Sequence, residues 1–278
     1  MQRLAVIPNT TKDPELSVTK QIVDLLCKRA TVVLPEQFRG EINDCEFAED
    51  VNVGADAAII VGGDGTVIGA ALPCAKAGVP MLGVNMGRIG FMSEVELCSL
   101  SDAVECLLGG DYTIETRMMM DVEIVRTNGD KMLFHALNDA VVEKARGINL
   151  IGIELFSGDE KIIQYVADGI IISTPTGSTG YNLSAGGPVV NPLMSLFIAT
   201  AICPHMLTAR PAVLPDDKPI VITSGCGVCK RASASVDGKV VCEVEPGDKI
   251  IITKSQYFAK LIKTIRRSFY DTLIEKLL

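Results

Sequence analysis

The chain has 278 residues, 48% of them apolar, with a formal net charge of −8, which is enough material for two domains with real cores or one large one. That balance excludes a general nucleic-acid binder, which grips phosphate backbones with clustered Lys and Arg. Nine scattered cysteines, and an N-terminus with only residues 4–7 apolar before Pro8, predict a reducing, cytoplasmic setting without a secretory leader. The longest charge-free stretch, 169–209, is broken by Pro175, Pro188, Pro192 and Pro204 into pieces too short to span a bilayer, so no membrane partner is expected.

In chain order, residues 4–7 read as a strand and 14–29 as a helix, because Val18, Ile22, Leu25 and Leu26 fall at i, i+4, i+7 and i+8. Residues 31–34 read as the next strand. Residues 57–61 are apolar without alternation, as in a parallel strand covered on both faces. The run Gly62-Gly63-Asp64-Gly65-Thr66 follows it and leads into a helical stretch, 67–77. Glycines at this junction let backbone N–H groups approach an anion, and the helix dipole points its positive end there. An aspartate in such a loop repels the phosphate that the loop attracts. It therefore has a separate task, either holding a metal that bridges to phosphate or taking a proton from an attacking hydroxyl, and both tasks indicate phosphoryl transfer. The run is not a Walker A loop, since no Gly-Lys-Ser/Thr follows. Its spacing to Ile68 also misses the third glycine of a dinucleotide fingerprint. Taken alone it also fits a capped strand-to-helix turn. A strand at 79–84 and a helix at 100–108 ended by Gly109 complete an α/β domain over 1–110.

From Thr116 the period drops to two: Met118, Met120, Val122 and Ile124 alternate with Met119, Asp121, Glu123 and Val125. Asn128-Gly129, Ser157-Gly158-Asp159, Asp237-Gly238 and Pro246-Gly247-Asp248 punctuate later apolar runs as hairpin turns. This predicts a mainly antiparallel, β-rich domain over 111–255. A closing segment, 256–278, contains a helix from 266 with Phe269, Leu273, Ile274 and Leu277 on one face, expected to return to the first domain. Cys226-Gly227-Val228-Cys229 has the spacing of half a zinc site but lacks a second pair, so no protein-held metal is assigned. With two histidines in the chain, His205 is read as structural.

Asp168-Gly169 and a strand at 170–172 precede Thr174-Pro175-Thr176-Gly177-Ser178-Thr179-Gly180-Tyr181-Asn182-Leu183-Ser184-Ala185-Gly186-Gly187-Pro188. Hydroxyls, glycines and one tyrosine together supply neutral hydrogen-bonding groups and a flat face for a base or sugar. With the 62–66 loop, Asn85-Met86-Gly87-Arg88-Ile89-Gly90-Phe91, Asn138-Asp139, residues 204–211, Asp237-Gly238 and the closing 269–277, the chain closely resembles NAD kinases over most of its length. The resemblance implies a Rossmann-like α/β domain with a parallel sheet, a β-rich NAD-binding domain, and an active site in the crevice between them. The implied reaction moves phosphate from ATP or polyphosphate, with Mg²⁺, to the 2′-hydroxyl of NAD's adenosine ribose. The implied assembly is a homodimer or homotetramer.

By the same resemblance Asp64 is the proton acceptor and Gly65 stands at the phosphates. Asn138 and Asp139 hold the ribose, and Asp168, Thr179, Gly180, Tyr181, Asn182, Leu183 and Ser184 contact the nucleoside portions. Two positions depart from the family pattern. Asp139 stands where a glutamate is usual, which shortens its reach by about 1 Å, and Gly180 stands where alanine is commoner. From residue types alone, Asn138-Asp139 also reads as a turn between strands at 132–137 and 140–143. A lipid or sugar kinase shares the Gly-Gly-Asp-Gly run, but the 179–188 stretch disfavours it. A binding-only NAD sensor would have had no need to keep Asp64.

Overall fold

The computed structural model describes residues 2–87, 90–145, 150–206, 208–224, 232–264 and 267–277. Arg88 and the Cys226/Cys229 pair lie outside them. In chain order the elements are β1 (Gln2–Pro8), α1 (Ser17–Leu26), β2 (Ala30–Pro35), β3 (Glu46–Ala48), β4 (Ala57–Gly62), α2 (Asp64–Ala77), β5 (Met81–Asn85), α3 (Leu100–Gly109) and β6 (Thr113–Val125). They continue with β7 (Lys131–Ala136), β8 (Asp139–Lys144), β9 (Ile151–Ser157), β10 (Glu160–Ala167), β11 (Gly169–Ser173), α4 (Tyr181–Ser184) and β12 (Phe197–Ile202). The last are β13 (Ala212–Leu214), β14 (Ile220–Ser224), β15 (Ala232–Val236), β16 (Lys239–Val244), β17 (Lys249–Lys263) and α5 (Phe269–Leu277). They form two compact units, Met1–Thr116 with Ala259–Leu278, and Arg117–Phe258. No helix among the described residues is long and apolar enough to cross a membrane.

In the first unit the strands run parallel in the order β3-β2-β1-β4-β5, and the end of β17 joins beside β5 through Leu261 opposite Met81. All six residues of β4 are buried, as its unbroken apolar run requires for a strand covered on both faces. From β1 the order runs outward to β2 and β3 on one side and to β4 and β5 on the other. The crevice outside the carboxyl ends of β1 and β4 is thus a topological switch point, where open α/β sheets bind ligands.

Helix α1 is shorter than the periodicity predicts, starting at Ser17 rather than residue 14. The Asp13 carboxylate accepts the Val18 and Thr19 N–H groups at 3.3 and 2.9 Å and the Thr19 hydroxyl at 2.7 Å. This side chain closes the first turn in place of further backbone helix. Helix α5 is capped reciprocally. The Ser268 hydroxyl accepts the Asp271 N–H at 3.1 Å while Asp271 accepts the Ser268 N–H at 3.1 Å, a capping box with Asp in place of Glu. Phe269 packs on Phe91 at 5.8 Å between ring centroids, and the Lys276 ammonium lies 4.5 Å from the Phe91 ring. The closing helix therefore returns to the first unit, but Ile274, expected on its buried face, is 57% exposed.

In the second unit the order β13-β12-β11-β8-β15-β16 makes an antiparallel sheet. A second antiparallel path runs β10-β9-β14-β17, and β6 pairs with β7. Gly129, Gly158, Gly238 and Gly247 adopt positive φ at the four turns read as hairpin signals. Inward residues of these strands, among them Ile124, Ile153, Ile172, Phe197 and Ile222, form one apolar core.

Candidate active site

The chain leaves β4 at Gly62 and enters α2 at Asp64, with Gly63 as its N-cap. A Cβ at Gly62 would run into the Thr66 side chain, whose hydroxyl oxygen accepts a 2.8 Å hydrogen bond from the Asn9 amide. That bond ties the loop after β1 to the loop after β4 at the switch point. Thr66 and Val67 donate to the Gly63 carbonyl at 2.8 and 3.2 Å, leaving the first-turn N–H groups of Asp64 and Gly65 without helical partners and directed at an incoming anion. A Cβ at Gly65 would meet nothing within 4 Å beyond its own helix turn and chain neighbours, so packing does not demand glycine there, and its bare backbone is open to close approach.

Asp64 carries more than an electrostatic duty. Its Oδ2 accepts the Phe91 N–H at 2.8 Å, while Oδ1 accepts the Met92 N–H, the Ser93 N–H and the Ser93 hydroxyl, each at 3.0 Å. A Cβ at Gly90 would collide with this carboxylate, so Gly90 and Ser93 together build its seat. Gly90 belongs to a motif that carries the resemblance, but Ser93 lies outside every motif read from the sequence. Of the two oxygens, Oδ2 retains the greater capacity to accept a further hydrogen bond or a proton. This donor set does not build a metal cage of its own, and no cluster of three or more acidic, cysteine or histidine side chains among the described residues is placed to do so.

In the second unit Asn138, Asp139 and the turn that follows β11 meet at one end of the antiparallel β8–β11 pair, whereas Asp168 lies at its other end, beside Lys144. The Asn138 carbonyl accepts the Thr174 N–H at 2.8 Å, and the Thr174 hydroxyl donates to the Leu137 carbonyl at 2.5 Å. A Cβ at Gly177 would collide with the Asn138 backbone, whereas one at Gly180 would stand 3.3 Å from the Gly177 carbonyl and 3.6 Å from Asn138 Nδ2. Two polar atoms of this cluster, Asn138 Oδ1 and Thr176 Oγ1, are buried without a hydrogen-bond partner. Burial of this kind is costly unless a ligand supplies the missing donor or acceptor.

Asp139 is 6% exposed, and burial, reinforced by the negative charge of Asp237, pushes its carboxyl up to about 7. Asp237 is also raised by burial, against three hydrogen bonds that favour its charged form, from the Leu137, Asn138 and Asp139 N–H groups at 2.8, 2.8 and 3.2 Å. Of the pair, Asp237 is held ionised by those amides and Asp139 carries the proton near neutrality. Residue types alone made Asp237 a hairpin residue. Its grip on the Asn138–Asp139 backbone had no local signal, because the partners are 98 to 100 residues away.

Asp168 pairs with Lys144 at 2.7 Å. Tyr181 is 42% exposed, and its phenol is raised by partial burial and then by surrounding negative groups that include Glu143, Asp139 and Asp168. The Thr179 hydroxyl donates to the Thr176 carbonyl at 3.4 Å, Leu183 is half-buried and Ser184 is exposed. Asn182 faces inward. Its amide donates to the Ser178 and Pro188 carbonyls at 3.0 Å each and its oxygen accepts the Thr200 hydroxyl at 2.7 Å, so it holds the turn that presents its neighbours. His205 donates its backbone N–H to the Val166 carbonyl at 2.8 Å, with its side chain exposed.

Residues 4–112 match the family model described as the ATP-NAD kinase N-terminal domain, and residues 137–264 match the ATP-NAD kinase C-terminal domain. The chain is 37% identical over 280 residues to the NAD kinase of Heliobacterium modesticaldum, covering 100% of this chain and 99% of that one. It is 39% identical over 240 residues to the NAD kinase of Carboxydothermus hydrogenoformans, covering 86% and 85%. Among solved structures it superposes on yeast NADH kinase complexed with NADH with a TM-score of 0.87 at 20% identity, covering 100% of this chain and 87% of that one, a likeness of fold. On the strength of two matched domain models and full-length relatives, the chain belongs to the NAD kinase family.

Proposed function

We propose that this protein is an NAD kinase, transferring the terminal phosphoryl group of ATP, or of another phosphoanhydride such as polyphosphate, to the 2′-hydroxyl of NAD's adenosine ribose to give NADP. The observation that carries the reading is Asp64: an acid at a glycine-rich helix N-terminus, clamped by three amides and a hydroxyl so that Oδ2 keeps accepting capacity. As the 2′-oxygen bonds to phosphorus and the bond to the departing diphosphate breaks, Oδ2 takes the hydroxyl proton. The first-turn amides of α2 stabilise charge on the equatorial phosphoryl oxygens, already oriented before the reaction begins. A divalent cation, when bound, neutralises the donor's phosphates.

The roles in the second unit belong to the same reading. Asn138 and Asp139 take ribose hydroxyls, supported by the orphaned Asn138 Oδ1. Asp168, Thr179, Tyr181, Leu183 and Ser184 contact the nucleosides, and Gly180 admits them closely. Asn182 acts by holding the turn. A half-protonated Asp139 both donates to and accepts from a hydroxyl, which suits a shorter side chain in the family's glutamate position. A cytoplasmic location is supported by the seven free thiols among the described residues. A homodimeric or homotetrameric state is checked by sedimentation.

Incubation with NAD, ATP and Mg²⁺, read by an NADP-specific dehydrogenase, tests the function. NADP formation is expected, and ATP turnover that phosphorylates a lipid or sugar but not NAD would overturn it.

A further inference from the structure

Glu94 directly follows the turn that seats Asp64. Its Oε2 accepts a 2.6 Å hydrogen bond from the Lys263 ammonium, and the two side chains are 7% and 12% exposed. Glu94 Oε1 is buried without a hydrogen-bond partner among the described residues. Desolvating two charges opposes folding, and a pair with one oxygen left unbonded recovers little of that, so apolar side chains of the same volume would serve stability as well. Stability gives no reason for charge here, whereas position does.

The turn itself is closed by the Gly90 N–H, which donates to the Ser93 carbonyl at 3.1 Å. It lies directly on β5, where a Cβ at Gly83 would stand 2.7 Å from Ser93 Cα and 2.8 Å from the Met92 carbonyl oxygen. Val95 is bonded to the same strand, its N–H donating to the Gly83 carbonyl at 3.1 Å and its carbonyl accepting the Asn85 N–H at 2.8 Å. Glu94 stands between these fixed points and brings in a second strand. Lys263 ends β17, whose Leu261 pairs with Met81 of β5, so the ion pair ties the turn to the neighbouring strand of the sheet. We infer that Glu94 and Lys263 are positioning residues for the reaction, holding the Phe91, Met92 and Ser93 amides in the arrangement that presents Asp64 Oδ2 to the acceptor hydroxyl. A shift of about 1 Å at the reacting atoms costs on the order of 10² in rate, so a turn held by backbone bonds alone gives a slower enzyme.

The inference rests on the phosphotransfer reading and is tested separately from it. Glu94→Met/Lys263→Met removes the tie without leaving a buried charge, so the fold is kept. Glu94→Gln, which keeps an acceptor for Lys263, is the milder break and decides the same comparisons should the double variant not fold. NADP formation is measured for wild type, for both variants, for Asp64→Asn, and for both variants combined with Asp64→Asn, with melting curves as the check on folding. The expected result is a kcat about 10-fold lower in the double variant and a smaller fall in Glu94→Gln, with the KM for NAD and for ATP within about 2-fold of wild type. In the Asp64→Asn background the same changes should move kcat by no more than about 2-fold, because a residue acting through a carboxylate has nothing to position once that carboxylate is gone. An equal fall in both backgrounds, an unchanged kcat in a folded double variant, or a loss confined to KM overturns the inference. Amide hydrogen exchange needs no turnover: protection of the Phe91, Met92 and Ser93 N–H groups should drop by at least about 10-fold in the double variant, and unaltered protection overturns the inference as well. If wild type makes no NADP, the NAD kinase reading fails while the exchange result still decides the positioning role.

Discussion

Replacing Asp64 by asparagine separates chemistry from architecture at the loop. The asparagine oxygen keeps the place of Oδ1, which accepts from Met92, Ser93 N–H and the Ser93 hydroxyl. Its NH₂ group then faces the Phe91 N–H, donor against donor, where Oδ2 accepted at 2.8 Å. One charge-assisted bond is lost and one amide is left unpaired, costing on the order of 2 kcal/mol. At about 2–4 °C per kcal/mol for a chain of this size, the melting temperature falls by roughly 4–8 °C. Loss of the proton acceptor lowers kcat by about 10² to 10⁴ while NAD affinity holds within a few-fold. Ser93→Ala is the control, since it removes one hydrogen bond, about 1 kcal/mol, and leaves charge and Oδ2 in place, so kcat stays within about 10-fold of wild type. Steady-state NADP formation and calorimetric melting read both effects. Wild-type turnover in Asp64→Asn, or equal kcat losses in the two variants, would refute the proton-acceptor role and leave Asp64 as a clamp on the 90–93 turn.

Further expectations concern stability and the two loops. Asp139 has its folded carboxyl raised to about 7 from an ordinary 3.8, so the folded state binds the extra proton and the cost of ionising it is absent below the lower value and complete above the higher. Asp139→Asn should therefore gain stability over wild type progressively from about pH 4 to pH 7, by a few kcal/mol at most, and level off above; urea melts at pH 4.5, 6 and 8 that show no such trend would contradict it. Gly177→Ala forces its methyl into the Asn138 backbone and should cost roughly 1–3 kcal/mol while raising the KM for NAD at least 10-fold. Gly180→Ala brings its methyl into a tighter-than-usual 3.3 Å contact with the Gly177 carbonyl, relieved by a shift of a few tenths of an ångström, and should cost at most about 1 kcal/mol while leaving the KM for NAD within about 3-fold. Deleting residues 269–278 removes Phe269 and Lys276 from Phe91, whose own N–H holds Asp64. The truncated chain should lose kcat several-fold with unchanged NAD affinity by equilibrium dialysis.

What the sequence made legible was local. The unbroken apolar run of β4, the glycines after it, and the turn dipeptides of the second unit each report a backbone requirement satisfied within a few residues. What stayed hidden was side-chain reach. Asp13 shortens α1 by capping from outside the periodic stretch. Asp64 finds its donors 27 to 29 residues onward, and Asp237 grips a backbone nearly 100 residues back. No periodicity encodes such partners. Resemblance likewise named Asn182 as a ligand contact, yet its amide is taken up by Ser178, Pro188 and Thr200, a use that only the folded turn reveals.

The central claim concerns one oxygen, the 2′-hydroxyl of the adenosine ribose. The most direct measurement is two-dimensional ¹H–³¹P NMR of the product formed from NAD, ATP and Mg²⁺, which correlates the new phosphorus with the sugar proton it couples to. A cross-peak to the 2′ proton of the adenosine ribose is the predicted result. Coupling to the 3′ proton, to the nicotinamide ribose, or to no NAD proton at all would contradict it.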